Sequence, residues 1–185
     1  IIDMPYNTYR NKREALKNAL DILSFTKADF IKIETDIKNI EIVRYLWQNK
    51  IQVVSHIGVT PQKFSNFNNI RSVGKEKKDI NKLIYLAKKL EEAGSKLIVL
   101  ECINLSTSKK ITKNLSIPTI GIGSSKYCDG QVLVIDDILN FNSNSKKPKF
   151  LKNYINIEKI ITRAVKKYTQ DVKSKKFPLR KHSYF

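Results

Sequence analysis

The sequence lacks the features that would mark a membrane protein, a disulfide-rich protein or a zinc-finger protein. No stretch approaches the roughly 18 consecutive apolar residues that a membrane span needs, and no internal repeat is present. The two cysteines, Cys102 and Cys128, lie far apart and lack the spacing of a metal-binding cluster. We therefore expect reduced thiols in a cytoplasmic protein, and a disulfide between the two is the less favoured alternative.

Arginine is also scarce, although the chain is strongly basic. Only 6 of the 35 basic residues are arginine, and the net charge of +18 comes from lysines scattered over every predicted helix. A nucleic-acid-binding surface would concentrate its basic residues on one face. We therefore expect no specific nucleic-acid partner and no membrane partner, only weak attraction to polyanions.

The length of 185 residues and the 41% hydrophobic content predict one domain with a real core. The domain predicted for residues 1–185 ends in a helix and a basic tail. The chain opens on Ile1-Ile2-Asp3, which is typical of a strand end, with no initiator methionine. This opening predicts a fragment or a processed chain.

Short apolar stretches alternate with amphipathic ones along the chain, which is typical of a parallel sheet covered by helices. The predicted helices include Asn11–Phe25, Ile37–Asn49, Lys78–Ala93 and Ser106–Leu115, and a last helix follows Ile157. The six predicted strands are Ile1–Asp3, Asp29–Glu34, Ile51–Ser55, Lys96–Glu101, Pro118–Gly121 and Val132–Ile135. An open doubly wound sheet and a (β/α)₈ barrel both fit this alternation.

Polar residues lie at the carboxyl ends of the predicted strands. They are Asp3, Lys32, Glu34, His56, Glu101 and the loop Gly121–Ser125. In a barrel these ends converge on one face, where barrel enzymes keep their active sites. In an open sheet six such contributions would be spread too widely to meet, so the pattern favours a barrel of the TIM type.

Each of these residues also has a purely structural interpretation. Lys32 could extend its ammonium group to solvent, and a lone histidine such as His56 is more often a satisfied polar residue than a catalyst. Asp3 and Glu34 could be helix-capping or loop carboxylates. Glu101 is the hardest to explain structurally, because it directly follows the apolar run Leu97–Leu100. The joint pattern is stronger than any single member.

Five ordered motifs closely resemble those of the ketopantoate hydroxymethyltransferase family. They are DMPY at 3–6, KIE at 32–34, VSHIGVTPQ at 54–62, EAGSKLIVLE at 92–101 and IPTIGIG…CDGQVLV at 117–134. PKF at 148–150 and HS at 182–183 are similar to the closing segments of the family. The resemblance covers essentially the whole chain.

The resemblance implies a (β/α)₈ barrel, with about six of its eight βα units in this chain. It also implies a Mg²⁺-dependent transferase that uses 5,10-methylenetetrahydrofolate to hydroxymethylate 3-methyl-2-oxobutanoate, giving 2-dehydropantoate in pantothenate biosynthesis. Asp3 and Glu34 would be magnesium ligands, and Glu101 would be the catalytic proton acceptor. Asp3, Lys32, His56 and Ser124 would contact substrate. Members of the family form ring-like homo-oligomers, so a homo-oligomer is implied here.

The sequence departs from the family pattern at Thr35-Asp36 and at Ser124-Ser125, where glycines or Gly-Ala-Gly are usual. Family members also carry roughly eighty further N-terminal residues with a Gly-Asp-Ser motif. We therefore expect the 185-residue polypeptide alone to be inactive. The alternatives are a truncated non-catalytic remnant, another Mg²⁺-enolate barrel enzyme of the phosphoenolpyruvate mutase or lyase kind, and a basic nucleic-acid-binding domain.

Overall fold

A computed structural model describes residues 1–63, 71–141 and 148–184 of the chain. The chain divides into two compact units, Ile1–Val132 and Leu133–Phe185. The first unit contains the whole sheet and all the residues that the sequence predicts for the site. That residues 1–185 form a single domain stays a prediction.

The first unit is built on one parallel sheet of six strands. The strands are β1 (Ile2–Asp3), β2 (Ile31–Glu34), β3 (Val53–Gly58), β4 (Leu97–Glu101), β5 (Thr119–Ile122) and β6 (Gly130–Gln131). They lie in sequential order, and every neighbouring pair is parallel. A doubly wound sheet reverses its strand order at a switch point, so the sequential order excludes that alternative. The curled half-barrel is consistent with part of a TIM barrel, while the number of βα units in the chain stays a prediction.

The helices of the first unit cover the sheet with their apolar faces. They are α1 (Lys12–Phe25), α2 (Ile40–Gln48), α3 (Lys77–Glu92) and α4 (Leu105–Asn114). Asn11 caps α1 by accepting a hydrogen bond from the Glu14 N–H. Gly94 ends α3 with a φ of +101°, and a Cβ there would lie 2.3 Å from the Trp47 ring. A residue without a side chain is therefore required where α3 turns toward β4.

Two predicted strands differ from the structure. The predicted strand Val132–Ile135 is wrong, because the sheet uses Gly130–Gln131 as β6 and Ile135 begins a helix. Gly130 pairs with Ile120, and Gln131 pairs with Gly121. The strand predicted at Ile51–Ser55 instead runs over Val53–Gly58, so His56 lies within β3 rather than after it.

The second unit contains α5 (Ile135–Leu139) and α6 (Ile157–Lys173). The basic tail has local order, because the Phe177 ring packs 5.7 Å from Tyr168 and 5.2 Å from His182, measured between ring centroids. A short 3₁₀ turn follows at Arg180–His182. Within the ranges that the structure describes, no helix is long and apolar enough to cross a membrane.

Both cysteines are free and buried, so the disulfide alternative is wrong. Burial raises the pKa of Cys102 to about 11. This thiol therefore keeps its proton at neutral pH and is a poor nucleophile. Neither position shows the exposed, electropositive surroundings of a reactive cysteine.

Candidate active site

Four charged or polar side chains from four consecutive strands form a continuous chain of contacts at the carboxyl edge of the sheet. The Lys32 ammonium group lies 2.7 Å from Asp3 Oδ2 and 3.4 Å from His56 Nδ1. His56 Nε2 lies in turn 3.1 Å from Glu101 Oε2. The predicted convergence of Asp3, Lys32, His56 and Glu101 is therefore present. Lys32 is turned into this chain rather than extended to solvent, since its side chain is only 17% exposed.

The donor chemistry of Lys32 assigns the tautomer of the His56 ring. A lysine ammonium group can only donate, so Nδ1 must accept and the ring proton belongs on Nε2. Nε2 is also the ring nitrogen nearest the Glu101 carboxylate. The Nε2–Oε2 separation is an ion-pair distance, yet the arrangement does not meet hydrogen-bond geometry, and Nε2 has no hydrogen-bond partner among the described residues. The His56 ring and the Glu101 carboxylate are thus close to each other but not hydrogen-bonded.

Glu34 is a third carboxylate at this edge, and it is almost fully buried. Its Oε1 accepts a hydrogen bond of 2.9 Å from the Gln62 backbone N–H, whereas its Oε2 is buried without a partner among the described residues. Burial raises the pKa of the Glu34 carboxyl above its usual range, and the Gln62 hydrogen bond offsets only part of that rise. A buried carboxylate oxygen without a partner is costly to fold, so Oε2 is the clearest sign of a ligand-binding role.

Two residues that the sequence analysis did not single out also contact this edge. The Gln62 side chain donates from Nε2 to the Met4 carbonyl oxygen at 3.0 Å, and its Oε1 accepts from the Tyr9 hydroxyl at 2.9 Å. Burial raises the pKa of Tyr9 to about 12, so the phenol stays protonated and donates. Gln62 lies in the VTPQ motif, which was the only signal for it in the sequence.

The departure at Thr35-Asp36 leaves the loop after β2 well bonded. The Thr35 hydroxyl donates to the His56 carbonyl oxygen at 3.0 Å, beside the backbone bond from the Thr35 N–H. The Asp36 carboxylate accepts from the Lys38 N–H and lies 3.0 Å from the Lys63 ammonium group. The negative charge of Asp36 is therefore balanced locally by Lys63.

The loop after β5 uses its serines for internal bonding. The Ser124 hydroxyl donates to the Ile103 carbonyl oxygen at 3.2 Å and pairs with the Ser108 hydroxyl. The space at Gly121 is taken by the Gln131 side chain, since a Cβ there would lie 2.9 Å from its amide atoms. The close approach to the backbone that Gly121 permits is therefore made by the Gln131 side chain of this same protein. A substrate contact from Ser124 stays a prediction.

The residue types at this edge suit a magnesium ion, because they offer carboxylate oxygens. Mg²⁺ prefers oxygen ligands and is usually held by one or two carboxylates, with water and substrate completing its shell. The partnerless Glu34 Oε2 and the half-exposed Asp3 carboxylate match that donor set. No cluster of three or more histidine, cysteine, aspartate or glutamate residues that could hold a metal occurs within the described ranges. Within those ranges the protein donor set is therefore these two carboxylates, with water or substrate completing the shell.

Glu34→Gln is expected to stabilise the metal-free protein at neutral pH by about 1–2 kcal/mol, because it removes a buried charge with a partnerless oxygen. The folded-state pKa of Glu34 is raised, so the folded protein binds this proton more tightly than the unfolded chain does. The destabilisation by Glu34 therefore develops as the pH rises from the unfolded value of 4.5 through the folded pKa. Urea unfolding in EDTA at several pH values measures this.

The matched control for that measurement is Glu92→Gln, since Glu92 is exposed and pairs with Lys89 at the end of α3. Its effect on the unfolding free energy is expected to stay within about 0.5 kcal/mol. A stability gain from Glu34→Gln that was the same at pH 4 and pH 8 would contradict the burial argument. A loss of stability at neutral pH would contradict it as well.

Comparison with known proteins gives one consistent family. The family model described as "Ketopantoate hydroxymethyltransferase" matches residues 1–180. The chain is similar to proteins named 3-methyl-2-oxobutanoate hydroxymethyltransferase. It is 50% identical to that of Pelagibacter ubique, 43% to that of Buchnera aphidicola (subsp. Schizaphis graminum) and 41% to that of Helicobacter pylori (strain Shi470). These alignments cover 98–100% of the chain and 68–70% of each relative. The resemblance predicted from the sequence motifs is confirmed.

Proposed function

The chain belongs to the ketopantoate hydroxymethyltransferase family, and on this premise we propose that it transfers a hydroxymethyl group to 3-methyl-2-oxobutanoate. The donor is 5,10-methylenetetrahydrofolate and the product is 2-dehydropantoate, on the route to pantothenate. The observation that carries the proposal is the contact chain Asp3–Lys32–His56–Glu101 across four adjacent strands. It combines an ammonium group for an anionic substrate with a carboxylate base.

Glu101 is the proposed base for the proton on C3 of the keto acid. Its carboxylate lies at the end of β4, mostly buried, with His56 Nε2 3.1 Å from Oε2. No hydrogen bond from His56 ties up this oxygen. Removal of the C3 proton gives an enolate, and its C3 forms the new C–C bond to the one-carbon unit brought by the folate. The bonds from that carbon to the folate nitrogens break, water supplies the hydroxyl group, and tetrahydrofolate leaves.

Lys32 is the proposed partner of the negative charge that develops on the substrate. Its ammonium group is held between Asp3 and His56, so its position is fixed before substrate enters. A preorganised cation in a site of low water content stabilises a developing oxyanion more than a mobile surface lysine does. His56 fixes Lys32 from one side and faces Glu101 from the other, so we assign it a positioning role.

Asp3 and Glu34 are the proposed protein ligands of Mg²⁺. When bound, the ion supplies a Lewis acid that polarises the keto group of the substrate. Glu34 contributes its partnerless Oε2, while its Oε1 stays bonded to Gln62. Asp3 keeps its contact to Lys32. The two carboxylates thus leave most of the ion's coordination positions for the keto acid and water.

Hydrogen exchange at C3 tests this assignment without the folate. The protein in its natural form is incubated with the keto acid and Mg²⁺ in D₂O, and proton NMR follows the methyl doublet of the keto acid. Exchange collapses that doublet towards a singlet. We expect exchange that requires Mg²⁺ and is abolished by EDTA. Exchange that continues unchanged in EDTA would contradict the metal assignment, and no exchange at all would contradict the role of Glu101.

A polypeptide of these 185 residues alone is expected to aggregate and to show no turnover. Within the described ranges the edge strands β1 and β6 each have only one sheet neighbour, and an open sheet edge is a template for aggregation. Size-exclusion chromatography and a tetrahydrofolate-dependent assay on that polypeptide measure both effects. A monodisperse, active product would contradict the expectation.

A further inference from the structure

Gln62 links the ends of three neighbouring strands at the carboxyl edge of the sheet. It lies in the turn Pro61–Lys63 after β3. Its backbone N–H donates to Glu34 at the end of β2, and its side-chain amide donates to the carbonyl oxygen of Met4 just after β1. Tyr9, in the connection between β1 and α1, donates its hydroxyl hydrogen to the same amide. We call these two side chains the Tyr9–Gln62 brace.

Tyr9 determines which way the Gln62 amide points. Because the Tyr9 hydroxyl donates its hydrogen, the Gln62 amide oxygen must face Tyr9. The amide nitrogen of Gln62 is then directed to the Met4 carbonyl oxygen. Without the Tyr9 hydroxyl, both orientations of the amide become comparable. The Met4 bond, and with it the restraint on the backbone next to Asp3, would then be made only part of the time.

The backbone N–H of Gln62, beside the brace, selects the carboxylate oxygen that Glu34 can offer. The Gln62 N–H occupies Oε1, so Oε2 is left as the partnerless atom. A loop contact needed only for folding would have no reason to leave a buried oxygen of its partner unsatisfied. Gln62 donates hydrogen bonds to Glu34 and to the carbonyl oxygen of Met4, so these bonds reach one proposed metal ligand and the residue next to the other, Asp3.

We propose that Tyr9 and Gln62 are positioning residues that set the geometry of Asp3 and Glu34 for the metal ion. This inference rests on the proposed function, which assigns those two carboxylates to Mg²⁺. Partners in the second shell of a metal site commonly change its affinity by about 10- to 100-fold. We expect the brace to act within that range.

Binding of Mn²⁺, as a spectroscopic substitute for Mg²⁺, tests the brace by the loss of the free-ion EPR signal. Tyr9→Phe and Gln62→Leu are each expected to weaken Mn²⁺ binding by about 10-fold or more. The double variant should be no weaker than Gln62→Leu alone, because both changes break one connected unit. Tyr85→Phe, on the exposed face of α3, is the matched control and should bind like the unmodified protein.

Thermal unfolding in EDTA separates positioning from folding, because Tyr9→Phe removes a single hydroxyl group and should leave most of the stability intact. Weakened Mn²⁺ binding by a folded Tyr9→Phe protein supports the brace. Binding within twofold of the unmodified protein overturns it and leaves the proposed function standing. Failure of the unmodified protein to bind Mn²⁺ would instead overturn the metal assignment, and the brace with it.

Discussion

Glu101→Gln is expected to lower kcat by about 10²- to 10⁴-fold, which is the usual contribution of a general base. Glutamine has nearly the same shape as glutamate, and the change breaks no hydrogen bond to His56, so the fold should be preserved. It cannot take the C3 proton of the keto acid. The expected result is a large loss in kcat with a KM that changes little, because the lost interaction belongs to the transition state.

The control for Glu101→Gln is again Glu92→Gln, which changes the net charge by the same amount on an exposed helix end. Its turnover is expected to match that of the unmodified protein. C3 exchange in D₂O should fall in parallel with kcat for the Glu101 variant. A variant that kept fast exchange and fast turnover would show that another group is the base.

Gly58→Ala is expected to cost about 2–5 kcal/mol of unfolding free energy and to lower the kcat of the remaining folded protein by about 10²-fold. Gly58 ends β3 with a φ of +102°, which disfavours any L side chain. A Cβ there would lie 2.2 Å from the carbonyl oxygen of Glu101. The substitution therefore pushes on the backbone of the proposed base.

Gly130→Ala is the matched glycine substitution for that experiment. A Cβ at Gly130 would meet only the terminal carbon of the Ile120 side chain, at 2.7 Å, and a side chain can move aside. Its cost is expected to be about 1 kcal/mol, with nearly normal kcat. Urea unfolding and steady-state kinetics measure both variants. Equal effects of the two substitutions would contradict the special role of the Gly58–Glu101 contact.

The helices and strands could be predicted where a periodic pattern of apolar residues extends over many positions. Lys78–Ala93 carries a clear helical stripe, and the structure places α3 at Lys77–Glu92. β6 could not be predicted, because a two-residue strand of Gly130 and Gln131 has no apolar period of its own. The apolar residues that follow it predicted a strand at Val132–Ile135, whereas pairing with β5 places the strand two residues earlier.

The site was predictable to the extent that polar residues follow apolar strands directly. Asp3, Lys32 and Glu101 stand out in this way, and the structure brings them to one edge through His56. Gln62 could not be found in the same way. Its contacts depend on the conformation of a turn after β3, and no pattern in the sequence encodes that conformation.

Product formation tests the central claim most directly. The protein, as the cell makes it, is supplied with 3-methyl-2-oxobutanoate, 5,10-methylenetetrahydrofolate and Mg²⁺, and mass spectrometry follows the keto acid. The account predicts 2-dehydropantoate, formed only when all three are present. Absence of that product from a folded, Mg²⁺-loaded protein would contradict the account. Turnover of phosphoenolpyruvate-type substrates in its place would assign the site to a different barrel chemistry.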